Sequence, residues 1–187
     1  MKKYDLTDAV KPFARRLKNT WQAVFLPSVI IYGLSLLHLF YQRPAPNDAM
    51  APYLRNIDLV SYIVAIILAV IIFRLKRTYF SRRFCRDVVE DSLMQNPDLD
   101  DESLLKKVFK ILQKKMLLVW ILGFLIVLDG VIFYWLTFSS QNNMHIYFII
   151  GLFSLFINYP RDDLFSNLPW YVREGRKEFK PQQDLTE

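Results

Sequence analysis

The stretch LLVWILGFLIVLDGVIFYWLTF, residues 117–138, contains fifteen Leu, Ile, Val or Phe residues and one charged residue, Asp129. A bilayer core about 30 Å thick is crossed by roughly 20 apolar residues of helix, with about 17 as the lower limit. A central Asp costs roughly 2.5–3.5 kcal/mol on insertion, whereas each central Leu, Ile, Val or Phe contributes about −0.3 to −0.6 kcal/mol. The apolar sum exceeds the penalty, so this stretch is predicted to cross a membrane with Asp129 inside it.

Three further runs have the same character, because residues 21–41, 59–73 and 144–159 contain no Asp, Glu, Lys or Arg. The run 59–73 reaches a membrane-spanning length when Asp58 and Arg74 extend towards the interface at its ends. The run 144–159 is short and would require local thinning of the bilayer or shielding by neighbouring helices. The predicted fold class is therefore all-α, a polytopic membrane protein with a four-transmembrane-helix bundle.

The basic residues predict the orientation of the chain. With crossings after residues 20, 57, 115 and 143, one side carries 22 of the 24 Lys and Arg residues, and the other carries Arg43 and Arg55. Short cytoplasmic segments concentrate Lys and Arg because positive charge resists translocation. Both termini are therefore predicted to be cytoplasmic, in the cell membrane, or the inner membrane of a bacterium. The same rule accounts for the net charge of +6, so no nucleic-acid partner is predicted.

These patterns set the predicted boundaries. In chain order they are a cytoplasmic amphipathic N-terminal segment (1–20), the first transmembrane helix (21–41), an external loop (42–57), the second transmembrane helix (58–75), a cytoplasmic helical hairpin (76–115), the third transmembrane helix (116–138), an external loop (139–143), the fourth transmembrane helix (144–160) and a cytoplasmic interfacial tail (161–187). Similarity of residues 30–41 to 127–138, and of 62–80 to 147–165, suggests two related helix hairpins.

The predicted cytoplasmic segments are amphipathic. In the first twenty residues, Leu6, Val10, Phe13 and Leu17 recur at helical spacing, which suits a helix on an anionic lipid surface or, alternatively, a solvated basic arm. Apolar residues at 164–171 suit either a second segment lying along the headgroups or a docking peptide for a partner protein.

The hairpin is predicted from one uninterrupted helix and one capped helix. Residues 74–95 lack Gly and Pro, so they should prolong the second transmembrane helix outwards. Pro97 ends this helix, and Asp98 or Asp100 can cap the next one. The returning helix should then carry its apolar residues on one face, namely Leu104, Leu105, Val108, Phe109 and Leu112.

Asp129 is the main candidate for chemistry, because it lies about 18 Å beyond Leu117 along the helix, near the middle of the bilayer. A carboxyl at that depth requires a hydrogen-bond partner or a proton. Residues predicted at a similar depth are Tyr32, Ser35, Ser61 and Tyr62. Asp129 is interpreted either as a structural carboxyl that fixes helix packing or as part of a proton relay or cation site.

Small residues indicate where helices approach closely. Ala65 and Ala69 continue a stripe that begins at Ser61, and Gly123 and Gly130 lie seven residues apart on the third transmembrane helix. Such faces allow close backbone contact, either within the bundle or with another subunit.

The sequence contains no recognisable catalytic motif, and no catalytic residue, metal site or cofactor is predicted. Cys85 is the only cysteine, and His38 and His145 are the only histidines; a haem held between these two histidines is the alternative to accidental placement. The expected function is a non-catalytic accessory or scaffold subunit that acts through helix packing and the hairpin, with the lipid bilayer and a protein partner or second copy as its contacts. The alternative is a small transporter or proton- or ion-conducting component that uses Asp129.

Overall fold

A computed structural model describes residues 6–42, 44–45, 47–138 and 141–183, and for residues 6, 7, 141 and 178–183 it describes the backbone alone. This description leaves out Arg43, the side chain of Leu6 and parts of the predicted segments 1–20, 42–57, 139–143 and 161–187. The described residues form no strand. The helices are α1 (Leu6–Gln42), α2 (Leu54–Tyr79), α3 (Arg82–Gln95), α4 (Asp101–Thr137), α5 (Gln141–Ile157) and α6 (Leu168–Gln183), with 3-10 turns at Asp48–Tyr53 and Asp162–Leu164.

Three helical segments are long and apolar enough to cross a membrane: Asp8–Gln42, Asp48–Tyr79 and Asp101–Thr137. These segments support a membrane location and confirm the all-helical fold class. α5 is also apolar, but its 17 residues rise only about 25 Å along the helix axis. The fourth crossing therefore stays a prediction.

The expected outward extension of the second apolar helix is wrong, because the helix is interrupted. α2 ends at Tyr79 and α3 begins at Arg82. The backbone of Ser81 between them is extended, and its hydroxyl accepts a hydrogen bond from the N–H of Phe84 at 3.2 Å. Ser81 therefore caps a new helix, since a serine hydroxyl competes with the helical carbonyls for backbone donors.

The chain divides into two compact units. One, which we call the apolar unit, comprises Trp21–Leu75 and Leu118–Tyr159; the other, the basic unit, comprises Met1–Thr20, Lys76–Leu117 and Pro160–Glu187. The sequence of the basic unit holds 21 of the 24 Lys and Arg residues and 15 of the 18 Asp and Glu residues, so it carries the whole net charge of +6.

The apolar unit exposes large apolar side chains on all four of its helical segments. An apolar surface of this extent is unfavourable in water and is typical of helices that face lipid. Exposed examples are Leu26, Ile30, Leu34 and Leu37 of α1, Leu59, Ile63 and Ile67 of α2, Leu125 and Ile132 of α4, and Ile149, Phe153 and Phe156 of α5.

α4 and α5 pack backbone against backbone within the apolar unit. A Cβ atom added to Gly151 would lie 2.5 Å from Cγ2 of Val127 and 2.9 Å from the carbonyl oxygen of Gly123. A Cβ atom added to Gly130 would lie 2.5 Å from Cβ of Tyr147. These separations leave no room for a side chain, so the glycines allow the two helices to approach closely.

Two buried indole groups donate hydrogen bonds to carbonyls at the C-terminal end of α5, where carbonyl groups have no partner within the helix. Nε1 of Trp21 donates to the carbonyl of Leu155 at 3.0 Å, and Nε1 of Trp120 donates to the carbonyl of Asn158 at 2.8 Å. The side chain of Asn158 donates in turn to the carbonyl of Ser154 at 2.6 Å. α1 and α4 are thereby both hydrogen-bonded to the C-terminal end of α5.

The basic unit has a hydrophobic core of its own. Phe13 of α1 stacks on Phe109 of α4 with ring centroids 3.9 Å apart, and Phe165 meets Phe13 edge-on at 5.3 Å. The apolar stripe of the N-terminal helix and part of the C-terminal segment thus pack against protein. The core draws on four separate stretches of chain: Val10, Phe13 and Leu17 of α1, Cys85, Val89 and Leu93 of α3, Leu104, Leu105, Val108 and Leu112 of α4, and Phe165, Leu168 and Val172 at the start of α6 and just before it.

Polar contacts fix the connection between α3 and α4. The Asp100 carboxylate accepts a hydrogen bond from the N–H of Ser103 at 3.3 Å, and hydrogen bonds from Ser103 hold the pKa of Asp100 below its ordinary value. Of the two predicted caps, Asp100 is therefore the one that makes this contact. Arg176 of α6 donates to the carbonyl of Leu99 and forms an ion pair with Asp101 at 2.6 Å. α6 is thereby joined to the N-terminal end of α4.

Candidate functional site

Asp129 lies on α4 inside the apolar unit, where its carboxyl interacts with the hydroxyl of Ser61 on α2. Ser61 is 7% exposed and is followed one turn later by Ala65, which is 3% exposed. The small side chains of α2 therefore leave room for the carboxyl. The second carboxyl oxygen, Oδ2, is buried and has no hydrogen-bond partner among the described residues.

Tyr147 of α5 shares this environment. Its side chain is fully buried, and its hydroxyl has no hydrogen-bond partner in the part of the chain that the structure describes. Asp129 and Asp58 both lie within electrostatic range of this hydroxyl. Gly130, the residue after Asp129, contacts Tyr147 through the close packing of α4 and α5. Two unpartnered polar atoms therefore lie in one apolar environment.

A hydrogen-bonded chain adjoins this pair. The Tyr62 hydroxyl donates to Oδ1 of Asn143 at 3.2 Å, and the Asn143 amide donates to the carboxylate of Asp58. The ring of Tyr62 lies 5.5 Å from that of Tyr147, centroid to centroid. Together these residues form what we call the Asp129 cluster: Asp129, Ser61, Tyr147, Tyr62, Asn143 and Asp58.

The other two predicted partners of Asp129 have different contacts. The Tyr32 hydroxyl shares a hydrogen bond of 2.8 Å with Nδ1 of His145. The Ser35 hydroxyl donates to the carbonyl of Ile31 at 3.0 Å and accepts from Nε1 of Trp135 at 3.0 Å. Of the four candidates, the structure thus brings Ser61 and Tyr62 into the cluster and engages Tyr32 and Ser35 in hydrogen bonds elsewhere.

The two histidines each face a tyrosine. His145 contacts Tyr32, and Nδ1 of His38 shares a hydrogen bond of 3.1 Å with the Tyr134 hydroxyl. In the described residues, no three His, Cys, Asp or Glu side chains are grouped so as to hold a metal ion.

The predicted packing residues all lie inside the apolar unit. Ala65 is buried and Ala69 is half-buried on α2. Gly123 and Gly130 both face α5, where their closest neighbours are Leu155 and Tyr147. The close contacts of these two glycines are therefore made within the chain.

The arrangement limits the chemistry available to the cluster. The apolar runs around it, 59–73, 118–137 and 144–157, contain no Lys or Arg, so they supply no cation to neutralise the Asp129 carboxylate. A carboxyl in such an environment is stable when it is protonated, well hydrogen-bonded or bound to a cation. Ser61 provides one such interaction, and Asp129 Oδ2 and the Tyr147 hydroxyl are buried beside it.

Sequence reasoning missed Tyr147, Asn143 and Asp58. One signal was present, because Asp58 and Tyr62 are four residues apart, as are Asn143 and Tyr147. This spacing places each pair on one face of its helix.

No protein-family model, curated protein or solved structure matches this chain.

Proposed function

We propose that the chain is an integral membrane protein that crosses the bilayer four times, with both termini in the cytoplasm. The apolar surfaces exposed on α1, α2, α4 and α5 support four lipid-facing helices. The length of α5, 17 residues, meets the lower limit for a crossing. The concentration of basic residues in one unit supports a cytoplasmic position for that unit.

Within that topology, the protein acts as a non-catalytic accessory or scaffold subunit that presents the basic unit to a protein partner or a second copy. The observation that carries this proposal is the core of the basic unit, which is assembled from four stretches of chain. A core of this kind fixes the outer surfaces of α3, α4 and α6 relative to one another. Met94 of α3, whose side chain is 59% exposed, provides an apolar contact on this surface within the predicted hairpin.

In this proposal the Asp129 cluster stabilises the apolar unit. The interaction between Ser61 and Asp129 joins α2 to α4, and the Tyr62–Asn143 hydrogen bond joins α2 to α5. A polar contact inside an apolar bundle favours one helix register over its alternatives, because a shifted register would leave the polar groups without partners.

Site-specific photo-crosslinking tests the scaffold proposal. A photoreactive residue replacing Met94 should give one discrete protein adduct in cells, and the adduct should co-purify in mild detergent. The matched control is the same residue at Ile67, which is 52% exposed in the apolar unit and should react with lipid. A clean monomer without a protein adduct at Met94 would contradict the proposal.

A second candidate function is proton or cation binding at Asp129, in a small transporter or conducting component. The unpartnered Asp129 Oδ2 and Tyr147 hydroxyl specifically favour it, since both are buried polar atoms able to bind a proton or a cation. Asp58 and Asn143 lie near the first turns of α2 and α5 and extend the polar groups towards those helix ends.

Flux measurements in liposomes test this second function. Asp129→Asn keeps the size of the side chain and removes its charge, so it should abolish proton or sodium flux. Tyr147→Phe removes only the unpartnered hydroxyl and should reduce the flux. Equal flux in wild-type, Asp129→Asn and protein-free liposomes would eliminate this candidate.

A further inference from the structure

A groove in the basic unit lies between α3 and α6 and has a volume of about 560 Å³. Arg82, Arg83 and Arg86 line it from α3, and Trp170 and Tyr171 line it from α6. Three guanidinium groups beside two aromatic rings form a surface suited to an anionic ligand that also has an apolar part.

The basic groups available for such a ligand are Arg82 and Arg83. Arg86 forms an ion pair with Glu90 at 2.6 Å. By contrast, Arg82 and Arg83 are exposed and make no hydrogen bond or ion pair within the described residues. Asp87 and Glu90 also line the groove, but they lie one to two turns further along α3. The positive end of the groove is therefore the end at Arg82.

The backbone strengthens the positive potential at that end. Arg82 and Arg83 are the first two residues of α3, so their own N–H groups have no acceptor within the helix. The Ser81 hydroxyl already accepts the N–H of Phe84. Open N–H groups and the positive end of the helix dipole favour a phosphate, and a guanidinium matches two phosphate oxygens at once.

The position of the groove in the chain favours a lipid as the source of the phosphate. α2 lies in one of the segments able to cross a membrane; its predicted span ends at residue 75, the helix itself ends at Tyr79, and Arg82 follows three residues later. Phospholipid phosphates lie at the level where a membrane helix leaves the hydrocarbon core. Trp170, which is 55% exposed, and Tyr171 are residue types that concentrate at the same level. We propose that this groove binds the headgroup phosphate of an anionic phospholipid, with Arg82 and Arg83 contacting the phosphate and Trp170 lying against the glycerol region.

Native mass spectrometry of the full-length protein in mild detergent tests the proposal. The probe is phosphatidylglycerol, titrated in parallel with phosphatidylcholine. Arg82→Gln/Arg83→Gln should raise the phosphatidylglycerol concentration needed for the first adduct about thirtyfold, since each arginine is removed from an anionic contact. The matched control is Lys106→Gln/Lys110→Gln, which removes the same charge from α4 outside the groove and should change this concentration less than twofold.

Trp170→Ser tests the groove from its other wall and leaves α3 intact. It should weaken phosphatidylglycerol binding about fivefold. Slow labelling of Cys85 by a maleimide reagent verifies that each variant is folded. The proposal is overturned if neither groove variant weakens binding, or if phosphatidylcholine binds as tightly as phosphatidylglycerol. Displacement of phosphatidylglycerol by millimolar inorganic phosphate would likewise contradict a lipid source and assign the groove to a soluble phosphate.

Discussion

Replacement of Gly151 by alanine should loosen the contact between α4 and α5. The new Cβ atom would lie 2.5 Å from Cγ2 of Val127, 2.9 Å from the carbonyl oxygen of Gly123 and 3.0 Å from the backbone nitrogen of Val127. Two of these atoms belong to the backbone, so a side-chain rotation cannot relieve the overlap. The helices must separate by several tenths of an ångström.

The expected cost follows from two opposing effects. Overpacking of a well-packed contact costs about 1–3 kcal/mol. Alanine in place of glycine in a helix contributes about 0.5–1 kcal/mol in the opposite direction. Gly151→Ala should therefore lower the free energy of unfolding by about 1–2 kcal/mol.

Gly33→Ala is the matched control, because a Cβ atom at Gly33 of α1 would meet nothing within 4 Å. It should leave stability unchanged or raise it by up to about 1 kcal/mol. Reversible unfolding in mixed micelles, followed by tryptophan fluorescence, measures both variants, since Trp21 and Trp120 contact the end of α5. Equal stability of the two alanine variants would refute the close α4–α5 contact.

Four further predictions concern Trp120, Cys85 and Arg176. Trp120→Phe leaves the carbonyl of Asn158 without its 2.8 Å hydrogen bond and should cost about 1–3 kcal/mol. Trp135→Phe removes a hydrogen bond to Ser35, whose hydroxyl still bonds to the carbonyl of Ile31, and Trp135 is 44% exposed, so this variant should cost less in the same unfolding assay. Burial raises the pKa of Cys85 to about 12, so at pH 8 maleimide should label the folded protein at least a thousandfold more slowly than a free thiol; rapid labelling would contradict this. Because the pKa of Cys85 is raised in the folded state, the neutral thiol should make its full contribution to the free energy of unfolding below about pH 8.5. This contribution should decrease as the pH rises towards 12. Arg176→Ala should lower the Tm of the basic unit and accelerate Cys85 labelling, while Lys177→Ala should not; equal effects would exclude a role for the Leu99 and Asp101 contacts.

Much of the helical framework was predictable from the sequence. Long apolar runs are unfavourable outside lipid or a core, so the positions of the apolar helices follow from composition. Asp100 was predictable as a cap, because a carboxylate before a helix accepts its free N–H groups. Ser61 was a candidate partner of Asp129 because both fall at a similar depth in their apolar runs.

The contacts that form the core of the basic unit could not be predicted from the sequence. The spacing of Val10, Phe13 and Leu17 defines an apolar helix face, but the same face can lie against lipid or against protein. The structure places it against Phe109 and Phe165, which are about 95 and 150 residues away in the chain. Contacts over such separations leave no periodic signal in a single sequence.

Glycines also show the limit of pattern matching. Gly33 and Gly130 occupy equivalent positions in the similar stretches 30–41 and 127–138. Gly130 lies against Tyr147, whereas Gly33 has open space around its Cβ position. Gly151, which makes a contact as close as that of Gly130, was not among the predicted packing residues, because its role depends on the partner helix.

The central claim is that four apolar helices cross the membrane and hold the basic unit in the cytoplasm. It is tested most directly by labelling single cysteines, introduced into a Cys85→Ala background, with an impermeant maleimide on intact cells. We expect Asp48→Cys and Asn142→Cys to react from outside, and Met94→Cys and Asp163→Cys to react only after permeabilisation. Labelling of Met94→Cys in intact cells, or the same accessibility for Asn142→Cys and Asp163→Cys, would contradict the four-crossing account.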